Sequence, residues 1–469
     1  MSEEFDTGVL VVGGGPAGYV AAIRAAQYDL DVTLVEMNTL GGTCLNRGCI
    51  PSKALISAAD VVHEARTGSQ MGITAEIDVE FGRMVEWKDD VVRNMNWNVG
   101  KLCRANGVSI IEGRAAFEDE HSVRIERLDG EPKQLTFEHA VLATGSCPIE
   151  LPGFEFDRPG VLDAKDALAL DELPDSLVVV GAGYIGMELA MLFAKLGVDI
   201  TVVEALDSMM PVFSSDVVAP VASAASDLGI EVNYGELASA CRPTGEGVSV
   251  ATEDVDSGDR REYVADAVLV AVGRNPVTDT MDLDRIGLEQ DEDGFVPTDE
   301  YGRTDVDHVF AVGDLAGEPM LAHVGSMEGE IAAAEIAGQD SSAGDRAIPS
   351  VVFTSPEIAT VGLTEAVAEE TDHSVSVGEF PMRASGRALT TGHTDGFVRL
   401  VSGDDGVVLG GQIVGPEASE LISEITLAVE EGLTTAELSE VIHPHPTLSE
   451  AIREAAANEL DLAIHTLNR

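Results

Sequence analysis

Cysteine is scarce in this chain, with five in 469 residues. So small and odd a number excludes a disulfide framework and makes a reducing compartment the default, so a disulfide formed there would be a working one. Basic side chains are also few, 28 against 83 acidic ones, and lysine does not occur after Lys195. A net charge of −55 makes nucleic acid and anionic membrane surfaces poor partners. Long apolar runs are missing too. The nearest is Leu177–Ala194, whose only charge is Glu188, and three glycines inside it argue for strand, turn and helix instead of a membrane span. The opening MSEEFDTG has no basic region or cleavage site before the first apolar strand, so the expected location is the cytoplasm.

The acids are spread along the whole chain and form no tail. That pattern predicts a halophilic surface, adapted to high salt, where repulsion between exposed carboxylates is screened over about 3 Å at 1 M. The length calls for two to four domains.

Two stretches echo one another. VLVVGGGPAGYVAAIRAA from Val9 and LVVVGAGYIGMELAMLFAKLG from Leu177 both read as strand, glycine turn and helix. Each carries G-x-G-x-x-G, at Gly13, Gly15 and Gly18 and at Gly181, Gly183 and Gly186, and each has an acid, Glu36 or Glu204, ending the next apolar strand at the same offset. The glycines permit a tight turn, close approach of backbone to a pyrophosphate, and close packing of helix on strand, while helix N-terminal amides hold phosphate. The acid accepts hydrogen bonds from an adenosine ribose and disfavours a 2′-phosphate. Two such units suggest a resident flavin and an exchanging nicotinamide.

Further glycine turns follow apolar strands at Ala140–Pro148, Ala267–Pro276 and His308–Gly317. They place a nicotinamide domain at 149–270, inserted into a flavin domain made of 1–148 and 271–345. From 346 to 469 alternating strands, GFVRLVSG and GVVLGGQIVG, followed by two helices, read as a separate α+β domain.

The cysteines Cys44 and Cys49 lie in GGTCLNRGCIPSK, just after the first unit. Pro51 suits a first helical turn, which puts Cys49 near a helix N-terminus, where a thiolate is favoured, and Lys53 adds positive charge. Far along the chain, HPHPTLSEAIREAA carries His443 and His445, with Glu450 five positions after His445. A carboxylate beside an imidazole sets its tautomer, as a general base requires. Thr447 to Glu450 also spells a capping box, so Glu450 has a purely structural reading. Cys44, Cys49, His443 and His445 together admit a second reading as a Cys₂His₂ zinc site, although histidines at i and i+2 diverge on an extended backbone. Cys103, Cys147 and Cys241 have no partner spacing and are expected to be buried small apolar residues.

GGTCLNRGCIPSK, GAGYIGMELA, FAVGDLAG, IPSVVFTSPEIATVGLTE and HPHPTLSEA, in this order over nearly the whole chain, resemble the flavin disulfide oxidoreductases, and among them the branch that oxidises dihydrolipoamide. The resemblance implies an α/β fold with two Rossmann-like dinucleotide-binding domains, a C-terminal α+β dimerisation domain, and FAD and NAD as cofactors. By the same resemblance Cys44 is the interchange thiol and Cys49 the thiol beside the flavin. His445 is the base and Glu450 its partner. Lys53 lies by the flavin and pairs with Glu188. Glu36, Ala115, Gly145, Asp314 and Ala322 fall at flavin positions, and Gly181, Ala182, Gly183, Tyr184, Ile185, Gly186, Glu204 and Gly273 at NAD positions. The family is homodimeric, with the base supplied by the other subunit, and its partner is a lipoyl-bearing protein such as that of a 2-oxoacid dehydrogenase complex. No metal is expected.

The mercuric and larger thioredoxin reductases of this family need a C-terminal cysteine pair, and here the last cysteine is Cys241. Glutathione reductase uses NADP, against which Glu204 argues. A non-catalytic redox sensor would keep both glycine motifs but would have no use for a positioned base. The chain departs from the lipoamide pattern at Cys147, at Pro444 and in its acidity. The charge generates a first prediction. Dilution from molar to about 0.1 M salt lengthens screening to roughly 10 Å, so melting temperature and activity should both fall; identical values at the two salt concentrations would exclude the salt-adapted surface.

Overall fold

The computed structural model describes residues 5–468 except 246, 341–343, 345 and 371–373, and leaves the side chains of 369 and 370 undescribed. The chain forms two compact units, one drawn from 1–151, 162–173 and 272–344, the other from 152–161, 174–271 and 345–469. Residues 1–4, on which part of the N-terminal reading rested, lie outside the described residues.

In the first unit, Thr7–Val12 lies parallel between Val32–Glu36 and Lys133–Leu142, with Ser109–Asp119 beyond the one and Val309–Ala311 beyond the other. The first strand is apolar without alternation because both of its faces are covered. Leu10 and Val12 face Phe117 and Phe137, while Val9 and Val11 face the alanines of the helix Pro16–Gln27. That helix packs on Ala322–Ile336, and it packs closely because the second helix offers glycine: a Cβ at Gly329 would stand 2.4 Å from the Ala17 carbonyl oxygen.

The second unit repeats the plan. Ser176–Val180 lies parallel between Asp199–Glu204 and Ala267–Val270, and Tyr184–Leu196 is the helix after its glycine turn. A three-stranded antiparallel sheet follows, Glu236–Pro243, Val248–Asp254 and Arg260–Ala265. From 350 onward an antiparallel five-stranded sheet runs 350–352, 357–362, 408–415, 397–403, 375–381. Helices Ala418–Glu430, Thr435–Glu440 and Glu450–Glu459 accompany it, three where the sequence reading had two. The additional one is Thr435–Glu440, only six residues long and closed by a capping box between Thr434 and Glu437, too short for apolar periodicity to reveal. No helix among the described residues is long and apolar enough to cross a membrane.

At one end of the first sheet the rings of His121 and His308 stack at 4.0 Å, and His139 lies close enough to feel both. Burial pushes His139 below the ordinary histidine value, Glu138 opposes this, and His308 and His121 add to it. A depressed histidine takes up its proton later in the folded state than in the unfolded one. Stability from this group is therefore complete above the unfolded value near 6.5 and is lost as pH falls from there toward the folded value. Melting temperature should decline between about pH 7 and 5, and His139→Gln should flatten that decline. Parallel pH profiles for the two proteins would show that His139 does not contribute.

Candidate active site

The two glycine turns have the same construction. Gly13 and Gly181 sit at φ +103° and +104°, in the left-handed region. A Cβ at Gly18 would stand 1.9 Å from the Gly13 carbonyl oxygen, and one at Gly186 2.0 Å from that of Gly181, so the third glycine of each motif lets the helix close onto the turn. The middle glycines differ: a Cβ on Gly15 would meet only Gly42 Cα at 3.9 Å, and one on Gly183 would meet nothing within 4 Å. The space that a side chain would fill there lies at the mouth of a helix N-terminus, where a pyrophosphate fits.

The acids behave alike as well. Glu36 accepts the Gly14 amide at 2.7 Å and the Asn38 amide at 2.6 Å. Glu204 accepts the Ala182 amide at 2.6 Å and the Leu206 amide at 2.9 Å. Each carboxylate is thus aimed by two backbone donors and keeps lone pairs for ribose hydroxyls. Tyr184 and Ile185 open the second helix, with Tyr184 exposed.

The cysteine segment is locked to the first turn. The Gly41 amide donates to the Gly14 carbonyl at 2.7 Å, and a Cβ on Gly42 would come within 2.6 Å of Gly15 Cα. Cys44 lies on the short helix Gly42–Arg47, Gly48 breaks it, and Cys49 is the first residue of the helix Cys49–Thr67. Cys49 is exposed and Cys44 half-buried. The Cys44 thiol is pushed well above its ordinary range, first by its hydrogen bond to Cys49, then by burial and by negative charge on Cys49, with Asp314 adding and the Lys53 ammonium opposing. In the reduced pair the arrangement therefore favours keeping the proton on Cys44.

Asp314, which acts on Cys44, and other residues that the resemblance assigns to the cofactors lie in the same unit. Ser146 donates to Asp314 and accepts Arg274 Nε at 2.7 Å. The Gly313 amide donates to Glu328 at 2.6 Å; burial raises Glu328 above the usual carboxylate range, the amide opposes this, and Asp314 adds to it. Ala115 is buried on its strand, and Ala322 begins the helix Ala322–Ile336. Gly145 and Gly273 both adopt positive φ and bond across a short ribbon, Val277 N to Gly145 O at 2.9 Å and Ile149 N to Gly273 O at 3.1 Å. Cys147 lies in the same ribbon and is exposed, which corrects the expectation that it is buried. Alternation along Ser146–Pro148 turns Ser146 inward and Cys147 outward. Cys103 and Cys241 are buried as expected.

In the second unit, His445 Nδ1 lies 2.9 Å from Glu450 Oε1, and Glu450 Oε2 accepts the Thr447 amide at 2.9 Å. The capping-box reading is half realised: Glu450 accepts the Thr447 amide, but Thr447 Oγ1 donates to the Pro444 carbonyl instead of accepting a helix amide. One carboxylate does both jobs. Burial raises Glu450, but the Thr447 amide and the His445 ring outweigh it and hold it below its usual value. With Nδ1 held by the carboxylate, Nε2 of the exposed ring is left as an acceptor. His443 differs, because its Nε2 lies 2.8 Å from Glu424 and its Nδ1 3.1 Å from the Val441 carbonyl, so neither nitrogen is available to a metal. No group of metal-ligating side chains stands out among the described residues. Glu188 is buried and accepts the Phe353 amide at 2.8 Å. Glu424 and Glu328 carried no motif in the sequence, while Ser146 and Arg274 lay in the glycine turns Ala140–Pro148 and Ala267–Pro276 without being singled out.

Comparison with known proteins agrees with this geometry. The chain matches the pyridine nucleotide-disulphide oxidoreductase family over residues 7–329 and the dimerisation domain of the same family over 348–456. It is 54% identical to a dihydrolipoyl dehydrogenase of Halobacterium salinarum over 99% of this chain and 98% of that one. It is 44% identical to one from Geobacillus stearothermophilus over the same shares. Among solved structures it is similar to LpdA of Mycobacterium tuberculosis, with TM-score 0.90 and 30% identity over 96% of this chain and 99% of that one.

The middle and third glycines make separable predictions. Gly183→Ala keeps an ordinary backbone, φ −69° and ψ 179°, with open space around the new methyl. It should leave the melting temperature within about 2 °C and weaken NADH binding, measured by titration calorimetry. Gly186→Ala should lower the melting temperature outright. The reverse ranking would refute the assignment of open space to the pyrophosphate.

Proposed function

The chain belongs to the pyridine nucleotide-disulphide oxidoreductase family, and within it we propose that this protein oxidises the dihydrolipoamide of a lipoyl-bearing protein with NAD⁺. The observation that carries the reading is the hydrogen-bonded Cys44 and Cys49 pair at a helix N-terminus, locked against the first dinucleotide turn. Its cofactors are FAD and NAD. The open space at Gly15 and Gly183 and the aimed carboxylates of Glu36 and Glu204 fit the two dinucleotides. Glu36, Lys53, Ala115, Gly145, Asp314 and Ala322 would hold the flavin, with Lys53 pairing with Glu188. Gly181 to Gly186, Glu204 and Gly273 would hold NAD. The domain division follows as 1–148 and 271–345 for flavin, 149–270 for NAD and 346–469 for dimerisation.

In the working enzyme, a homodimer, His445 of one chain would serve the cysteines of the other. Its Nε2 accepts a proton from a substrate thiol while Glu450 holds Nδ1 and stabilises the charged ring. The substrate thiolate attacks Cys44 Sγ of the Cys44–Cys49 disulfide; a substrate–Cys44 bond forms, the Cys44–Cys49 bond breaks, and Cys49 leaves as thiolate. The second substrate thiol then gives up its proton as its sulfur attacks the first; the lipoyl ring closes, the substrate–Cys44 bond breaks, and the released Cys44 takes that proton while the first stays on His445. What bound FAD supplies is the two-electron relay from the reduced cysteines to NAD⁺. Every other step is binding, orientation and proton transfer by the side chains named. The acids spread along the whole chain support a working place in a cytoplasm of high salt.

Purified protein loaded with FAD should form NADH from dihydrolipoamide and NAD⁺, with NADP⁺ a poor substitute because Glu204 opposes a 2′-phosphate. His445→Gln should lower the rate about 10²- to 10⁴-fold. Reduction of glutathione disulfide by NADPH in place of this reaction would overturn the reading.

A further inference from the structure

The base belongs to a segment, Val441–Ser449, that joins the helices Thr435–Glu440 and Glu450–Glu459 without regular structure of its own. This segment points outward. Ile442 is 94% exposed and the His445 side chain 78%, and Pro444 and Pro446 are exposed as well. Between 441 and 446 only His443 turns inward, its side chain 5% exposed.

His443 is held at both ring nitrogens. Nε2 lies 2.8 Å from Glu424 Oε1, and Nδ1 3.1 Å from the Val441 carbonyl. Glu424 stands on the helix Ala418–Glu430, which is fixed by Ile422 and Ile425 in the core of the antiparallel sheet. The imidazole therefore ties an exposed segment to a rigid element. Pro444 separates the two histidines and restricts φ between them, so a displacement at His443 is passed on to His445 instead of being absorbed by bond rotation. On the far side Glu450 and Thr447 hold the same segment, the latter through the Pro444 carbonyl at 2.7 Å. A base on so exposed a segment needs a fixed point on each side, since a misplacement of about 1 Å costs on the order of 10²-fold in rate.

We propose that His443 and Glu424 are positioning residues for the reaction, a carboxylate–imidazole anchor that holds the His445 segment in its working place. The proposal rests on the dithiol–NAD⁺ reading above. Neither residue takes part in the proton transfer, since both nitrogens of His443 are already engaged within the domain.

The test uses the FAD-loaded full-length enzyme and compares two reactions. Dithiol oxidation by NAD⁺ needs the base, whereas NADH oxidation by ferricyanide passes electrons through the flavin without it. Glu424→Ala and His443→Ala should each lower kcat for dithiol oxidation about 10- to 100-fold, leaving the KM for NAD⁺ and the ferricyanide rate unchanged. Glu424→Gln, which keeps an oxygen acceptor for the ring and is also the variant to use where alanine impairs folding, should recover part of the loss. In a His445→Gln background, Glu424→Ala should cause no further loss, because the anchor acts only through the base. A full dithiol rate in Glu424→Ala and Glu424→Gln overturns the proposal, as does an equal loss in both reactions or an additive loss in the double variant. Failure of wild type to oxidise dihydrolipoamide while ferricyanide reduction proceeds would instead defeat the functional reading itself.

Discussion

The close approach of backbone to backbone at the first glycine turn is the contact on which the redox site depends. Gly18 lies on the Gly13 carbonyl, and Gly42 lies so close to Gly15 that a methyl on Gly42 would run into it. The second of these contacts turns a nucleotide-binding motif into a platform for sulfur chemistry. It fixes where the short helix Gly42–Arg47 begins, and through Gly48 it fixes where the next helix starts, with Cys49 at its first position. A side chain at Gly42 would move the cysteines relative to the phosphate turn, and hence relative to any flavin lying on it.

The same physical construction serves twice with different outcomes. Both turns aim a carboxylate with two amides, and both close a helix onto a positive-φ glycine. Only the first runs on into a cysteine segment that covers it. A Cβ on Gly15 would only touch Gly42 Cα at 3.9 Å and one on Gly183 would meet nothing within 4 Å, so both turns leave room for a phosphate and the cysteine segment is what sets the first apart.

Much of this was legible in the sequence, because the features concerned are local. Glycine spacing, the acid at the end of the second strand, Pro51 after Cys49 and Glu450 after His445 all act within a few residues or within one βαβ unit. What escaped was long-range or a matter of orientation. Glu424 meets His443 across 19 residues and a change of element, and nothing in SEITLAVEEGLTTAELSEVIHPHP distinguishes it from the other acids. Ser146 and Asp314 meet across 168 residues. Cys147 escaped for a different reason: which way a residue faces in a three-residue strand is set by register, and apolar character alone carries no register. The capping box misled in part because Glu450 kept its bond to the Thr447 amide while Thr447 gave its hydroxyl to Pro444.

The acidity of the chain bears on its chemistry as well as on its solubility. Thiol–disulfide exchange proceeds through thiolates, and a field from 83 carboxylates opposes them wherever it reaches. The local structure counters this with a helix N-terminus at Cys49 and with Lys53, while nearby Asp314 acts in the other direction on Cys44. Contacts of this kind act within a few ångströms and are little affected by salt, whereas the distant carboxylates act through solvent and are screened over about 3 Å at 1 M but about 10 Å at 0.1 M. High salt thus removes the long-range term and leaves the designed short-range one in control of the cysteines. The carboxylates that remain influential are those with a bonded partner, such as Glu36 and Glu204 on backbone amides and Glu424 and Glu450 on imidazoles. An acidic surface and a thiolate active site are compatible in one protein because these two sets of carboxylates differ in range.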